Sequence, residues 1–180
     1  MLTFKQYIFE MPALNPIEKG TTGYTDKDLD ELEIPKNAEH VFTSESGHKI
    51  LLYSRHSLHH FVAQNPDTKK IDMHFTGKMN DDEYEARNMH GRTGSTIKAH
   101  HLLDEIRTKL NKTIVSDISQ SKPAKRVWEK LRQLILGRKM YYRPISGGEV
   151  FAGKTGSRGE LDAYYGPGKG ALVVKAPGTK

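Results

Sequence analysis

The sequence predicts an α+β fold: a mixed, mostly antiparallel central sheet flanked by helices, with an acidic N-terminal arm and a Gly-rich C-terminal β tail. Three observations predict it. Residues 48–78 carry three short strand patterns separated by turn chemistry. Residues 83–137 run strand, loop, helix, strand, helix. Beyond Gly137 the chain is punctuated by glycine, with nine of the sixteen glycines between Gly147 and Gly178.

The meander comes first. Lys49–Arg55 contains Ile50-Leu51-Leu52-Tyr53, and His59–Gln64 contains Phe61-Val62-Ala63. In Lys70–Thr76, Ile71, Met73 and Phe75 alternate with Asp72, His74 and Thr76, the period of a strand with two unlike faces. Asn65-Pro66-Asp67 is turn chemistry, because Pro fixes φ and the polar side chains bond nearby backbone. Glu83–His90 is a fourth strand, poor in apolar residues.

The middle of the chain predicts a βαβα unit. Gly91-Arg92-Thr93-Gly94-Ser95 is a loop, after which Ser95 or Thr96 caps a helix through its hydroxyl. Ala99, Leu102, Leu103, Ile106 and Leu110 form one apolar face at helical spacing. Asn111 stops that helix in a left-handed conformation. Thr113-Ile114-Val115-Ser116 is a short β-branched strand. Ser121 caps a second helix with Pro123 in its first turn, where a missing N–H costs nothing. Ala124, Val127, Trp128, Leu131, Leu134 and Ile135 are its expected buried stripe, and Gly137 ends it. A helical crossover makes the strands before and after it parallel.

The ends differ in character. Residues 2–10 place Leu2, Phe4, Tyr7 and Ile8 at near-helical spacing until Pro12 and Pro16 intervene. Residues 15–39 are polar and acidic, and are expected to be an extended arm or irregular wrap. Met140–Arg143, Leu161–Tyr165 and Leu172–Lys175 are strand candidates in a loosely built tail. The expected units are therefore 1–40, an acidic arm; 41–145, the folded domain; and 146–180, a basic Gly-rich tail.

Composition narrows the function classes. There is no Cys among 180 residues, which removes a disulfide framework, a thiolate nucleophile and a Cys-based zinc site. No run of ~18 apolar residues is present to cross a membrane as a helix, and the first fifteen residues lack the pattern of a secretory signal. Residues 1–47 carry four Lys against nine acids, net −5. Residues 111–180 carry fourteen basic residues against five acids, net +9. Such a basic third suits phosphate, including nonspecific nucleic acid.

The stretch from His90 to Leu131 resembles the GNAT acyltransferase superfamily, and within it the small GNAT-like proteins of tailed bacteriophages. The residues that carry the resemblance are His90-Gly91-Arg92-Thr93-Gly94-Ser95, the helix after it, Thr113–Ser116, and Val115-Ser116-Asp117-Ile118-Ser119-Gln120-Ser121 with Val127-Trp128-Glu129-Lys130-Leu131. Met1-Leu2-Thr3-Phe4-Lys5-Gln6-Tyr7 is also similar to the start of many tailed-phage proteins. The likeness covers roughly residues 41–136. It implies a sheet splayed between two strands, with acyl-CoA in the splay and its pyrophosphate on Gly91, Arg92, Thr93, Gly94 and Ser95. Against the family's Arg/Gln-x-x-Gly-x-Gly/Ala loop, the closest register here is Asn88-x-x-Gly91-x-Thr93, with Gly94 one step late. The implied activity is acyl transfer from acetyl-CoA to a small-molecule or protein amine. The alternatives are a non-catalytic component that meets phage virion proteins or the host, and, from the basic C-terminal third, a nucleic-acid-binding protein. The implied location is the host cytoplasm or the phage virion.

Amine acylation needs a base for the ammonium, a donor for the oxyanion and an acid for the thiolate. Glu83, Glu85 and His74 are the candidate bases; Tyr141 and Tyr142 are the candidate acids. His56-x-x-His59-His60, His100-His101 and the His101/Glu105 pair invite a zinc reading, but no further ligand is spaced to match, and no metal is expected. Gly148-x-x-x-x-Gly153-Lys154-Thr155 has the form of a phosphate-binding P-loop. It is rejected because Gly156-Ser157-Arg158-Gly159 does not start a helix. Lys139-Met140-Tyr141-Tyr142-Arg143 interleaves aromatic and basic residues, as base-stacking strands do.

Overall fold

Alternating apolar residues from Val41 to Met89 build the larger part of one sheet, onto which two amphipathic helices fold. The computed structural model describes residues 25–117, 122–135, 140–148, 150–151 and 170–178. In chain order the elements are α1 (Asp26–Asp30), β1 (Glu39–Thr43), β2 (Lys49–Arg55), β3 (Leu58–Gln64), β4 (Ile71–Met79), β5 (Glu83–Gly91), α2 (Ala99–Lys109), β6 (Thr113–Ser116), α3 (Lys122–Leu134), β7 (Met140–Pro144), β8 (Val150–Phe151) and β9 (Gly170–Val174). The chain is α+β, with nine described strands in one mixed sheet of order β1-β2-β3-β4-β5-β6-β9-β7-β8.

Neighbours from β1 to β5 pair antiparallel. The two-residue turn between β2 and β3 puts His56 and Ser57 at φ 50° and 61°, the mirror-image turn that suits strand twist. β5 and β6 are parallel, as the α2 crossover requires. Their pairing runs from Glu83↔Thr113 to Ala86↔Ser116, and Asp117 N–H adds a bond to the Ala86 carbonyl (3.2 Å). From Arg87 to Gly91, β5 runs on with β4 at its side and no described β6 residue paired to it.

The two faces of the sheet are unlike. On one, Ile50, Phe61, Met73, Phe75 and Tyr84 meet Leu102, Leu103 and Ile106 of α2 and Trp128 and Leu131 of α3 in the main core. On the other, Leu51, Tyr53, Val62 and Ile71 are covered by Leu29 of α1, which is buried, with Leu32 and Ile34 beside it. At ~25 cal/mol per Å² of apolar surface, the first cluster dominates the stability of the fold.

Several expectations change. The described part of the stretch 15–39, expected to be an extended arm or irregular wrap, carries α1 and the first residue of β1, because Leu29, Leu32 and Ile34 supply an apolar edge in an otherwise acidic stretch. Helix α2 starts at Ala99, with Lys98 at the N-cap and no side-chain cap bond. Ser95 and Thr96 precede the helix because Ser95 N–H is spent on the Arg92 carbonyl (3.2 Å) and Ile97 is drawn into the core. Leu134 is exposed, and Ile135 takes the buried place. Gly170–Val174, expected in a loose tail, is buried throughout and inserted between β6 and β7.

Other expectations agree. Asn111 is left-handed (φ 51°), Pro123 lies in the first turn of α3, and Trp128 is fully buried. Residues 2–10, Ser121, Gly137, Lys139, Leu161–Tyr165 and most of the P-loop lookalike lie outside the described residues.

Candidate functional site

Strand alternation sends His60, His74, Asn88 and His90 to the face opposite α2 and α3. A row of rings follows from the cross-strand register. Tyr53 on β2 stacks on His60 of β3 (centroids 4.6 Å apart, planes 9° apart). His60 stacks on His74 of β4 (5.3 Å, 14°), and His60 Nδ1 lies 3.0 Å from His74 Nε2. His74 is in turn the register partner of His90 on β5. The row crosses four strands and ends where β5 runs on past β6.

Burial sets the chemistry of these rings. His74 is pushed down to about 3, first by desolvation and then by the nearby His60 and His90. Desolvation also lowers His60 and His90; for His90 the Asp28 carboxylate of α1 works in the opposite direction. For His60 the nearby Arg55 backbone works in the opposite direction. A neutral imidazole has one donor nitrogen. One of the two rings donates across the 3.0 Å His60 Nδ1–His74 Nε2 contact and the other accepts. The row is therefore neutral at neutral pH, and His74 is a poor proton acceptor there.

The loop at the end of β5 is filled by the chain itself. Arg92 N–H donates to the Asp72 carbonyl (2.8 Å) and Thr93 N–H to Asp26 Oδ1 (3.0 Å). The Arg92 guanidinium donates from Nε to the Ile71 carbonyl (3.0 Å) and from Nη2 to Asp30 Oδ1 (2.7 Å). Arg92 holds the Asp30 carboxyl below its usual range. Asp72 Oδ1 is 3.4 Å from Arg92 Nε, while its Oδ2 accepts from buried His48 Nε2 (2.9 Å). Gly94 has φ 77°, as an αL turn demands, while Gly91 continues the strand.

Acyl-CoA, the group that the resemblance implies, needs the N–H groups of this loop for its pyrophosphate. Those of Arg92, Thr93 and Ser95 are all bonded within the chain, and two carboxylates stand at Arg92 and Thr93. In this arrangement the loop does not fit a diphosphate.

The other predicted residues lie elsewhere. Glu83 accepts both arms of Arg143 (Nη1 to Oε2 3.1 Å, Nη2 to Oε1 2.5 Å). Glu85 accepts from Arg87 Nε (3.1 Å). At about 3.3 Å per residue, Glu83 sits roughly 25 Å along β5 from Gly91, at the end where β5 and β6 are paired. Tyr141 lies on β7 between Val173 and Phe151, its ring centroid 5.7 Å from Lys175 Nζ. The structure does not bring Glu83, Glu85 and Tyr141 to the loop.

The histidine pairs hold no cation set. The His100 and His101 rings are 4.4 Å apart, and His100 is lowered to about 4 by burial, then by His101, Lys130 and Lys98. Glu105 accepts from Glu45 N–H (2.6 Å). Among the described residues no three His, Asp or Glu side chains are placed to share a metal.

The ring row and the α1 contacts escape a reading of the sequence. The alternation in 70–76 does show His74 on the polar face, but the row depends on register. The β-bulge between Thr76 and Gly77 sets which β5 residues face β4.

Comparisons of this chain with family models, with curated proteins and with solved structures give no match.

Proposed function

We propose that this chain is a GNAT-like domain that works by binding, as a virion or host-interaction component, and does not move an acyl group from CoA. The GNAT-like part rests on the His90–Leu131 resemblance. It is supported by the parallel β5/β6 pair, Glu83–Ala86 with Thr113–Ser116, reached through the α2 crossover. The observation that carries the non-catalytic part is the loop, where Asp26 and Asp30 occupy Thr93 N–H and Arg92. The ion pairing of Glu83 and Glu85 agrees with it.

Calorimetry of the full chain with acetyl-CoA tests this. No heat is expected at millimolar ligand from a folded sample. Micromolar affinity would overturn the reading.

A second reading keeps acyl transfer to an amine. It is favoured by one feature, the neutral imidazole row that ends on β5 at His90. Under it His90 faces the acceptor. Acetylation of a polyamine or peptide amine, lost in His90→Gln, would select this reading over the first.

A further inference from the structure

We infer that Ser46 is an activated nucleophile, with buried His48 as its base and Asp72 as the group that orients the ring, and that it cleaves small carboxylic esters at the protein surface. The inference goes beyond the reading above and is independent of it, since no CoA contact enters it.

Two separate stretches of chain supply the three residues. Ser46 lies in the turn between β1 and β2, closed by Gly47 N–H on the Ser44 carbonyl (2.9 Å) with Gly47 at φ 84°. His48 follows directly before β2, and Asp72 is on β4; both are buried. Ser46 Oγ is 3.0 Å from His48 Nδ1, and His48 Nε2 is 2.9 Å from Asp72 Oδ2. Hydroxyl, imidazole and carboxylate are thus joined through the two nitrogens of one ring. That is the relation by which a serine triad is recognised, whatever its order in the chain.

The protons of the network follow from its ends. An ionised carboxylate only accepts, so His48 Nε2 carries the hydrogen and, in the neutral ring, Nδ1 accepts. The Ser46 hydroxyl then donates to Nδ1. Ser44 Oγ accepts from His48 N–H (2.9 Å) and gives its own hydrogen to Ser46 Oγ (2.9 Å). That bond strengthens as charge develops on Ser46 Oγ. Asp72 is fixed in turn by Asn65 Nδ2 at Oδ2 (3.3 Å) and by Arg92 Nε near Oδ1 (3.4 Å).

Burial runs in the direction that such chemistry needs. The base and its carboxylate are inside, and the residue at the outer end, Ser46, is exposed. Ser46 N–H makes no hydrogen bond among the described residues, which leaves a backbone donor beside Oγ for an oxyanion. An exposed turn suits a small, unhindered acyl group such as that of an acetate ester. Ser46 Oγ bonds the carbonyl carbon as its proton passes to His48 Nδ1. The ester C–O bond then breaks, and the leaving alcohol takes that proton. Water gives a proton to Nδ1 as it attacks the acyl-serine; the carboxylic acid leaves and the proton returns to Ser46 Oγ.

The test treats the full chain with a fluorophosphonate, which loses fluoride to an activated hydroxyl, and maps the adduct by peptide mass spectrometry. An adduct on Ser46 is expected, lost in Ser46→Ala together with the hydrolysis of p-nitrophenyl acetate. Asp72→Asn should slow labelling about 100-fold or more, and Asp72→Glu, which keeps a carboxylate, should restore part of the rate; thermal melts confirm folding. A second measurement needs no change to the buried pair. The chain has no Cys, so Ser46→Cys introduces a single thiol. At about pH 6.5 iodoacetamide should alkylate it about tenfold faster than N-acetylcysteine, because the adjacent base favours the thiolate. Any one of three results overturns the inference: no adduct on Ser46 in the folded parent, a labelling rate that a folded Asp72→Asn leaves unchanged, or a Ser46→Cys thiol no faster than N-acetylcysteine.

Discussion

Lowering the pH from 7.5 to 5 should weaken the fold through His74. In the folded chain its ring is held to about 3, against 6.5 for an open imidazole. The unfolded chain therefore binds a proton below 6.5 that the folded chain refuses until about 3. Stability is full above 6.5 and falls as the pH drops through that window. At pH 5 the loss from this one ring is about 2 kcal/mol, a fair share of a marginal stability. The neighbours do not relieve it: His60 and His90 work against protonation of His74, and the Asp28 carboxylate acts on His90. Urea unfolding of the parent and of His74→Gln at both pH values isolates the effect, since other titrating groups are common to the two. The parent should lose about 2 kcal/mol more than the variant. NMR of the His74 ring in the folded parent gives a check that needs no variant: its Cε1–H shift should stay at the neutral value from pH 8 to pH 5. Equal pH dependence in the two proteins, or a His74 shift that titrates near 6.5, refutes the argument.

Two further substitutions test the packing. Trp128 is fully buried, and its indole N–H has no hydrogen-bond partner among the described residues; Trp128→Ala should cost about 3–5 kcal/mol in a chemical melt, while Trp128→Phe, which removes the unpaired donor, should cost much less. At Gly77 an added methyl would fall on the Glu85 carbonyl and within 2.7 Å of Tyr84 Cε2, so Gly77→Ala should cost about 1–3 kcal/mol, and a melt unchanged from the parent would contradict the β4/β5 register.

What could be read from the sequence is what local periodicity encodes. Met73 and Phe75 announce a strand face by alternation, and Leu102, Leu103 and Ile106 announce a helix by spacing, because each needs only its chain neighbours to define a face, whereas Ile71 turns to the other face at the irregular pairing beside Gln64. Asn111 and Pro123 act through backbone conformations that belong to the residue itself. Leu172–Lys175 is legible as a strand, and Gly170–Val174 is one, but its central place in the sheet is not, because that comes from pairing with Ile114, Val115 and the whole of β7.

The candidate site was hidden because its defining contacts are long in sequence. Arg92 meets Asp30 across 62 positions, and Thr93 meets Asp26 across 67. In the linear chain Gly91–Ser95 looks like a loop open to an anion, and the acids of residues 26–33 look like a solvated run. Each of those readings is sound for its own segment. Folding changes them together, since Leu29 has an apolar place to go on the outer face of β2–β4, and burying it lays Asp26 and Asp30 against the loop. The two carboxylates could therefore be placed only once Leu29 was recognised as a core residue inside an acidic stretch. Leu29 fixes where α1 lies, and Asp26 and Asp30 then bond Thr93 N–H and Arg92, so Asp→Asn variants that spare Leu29 change the charge at the loop with the least change in the fold.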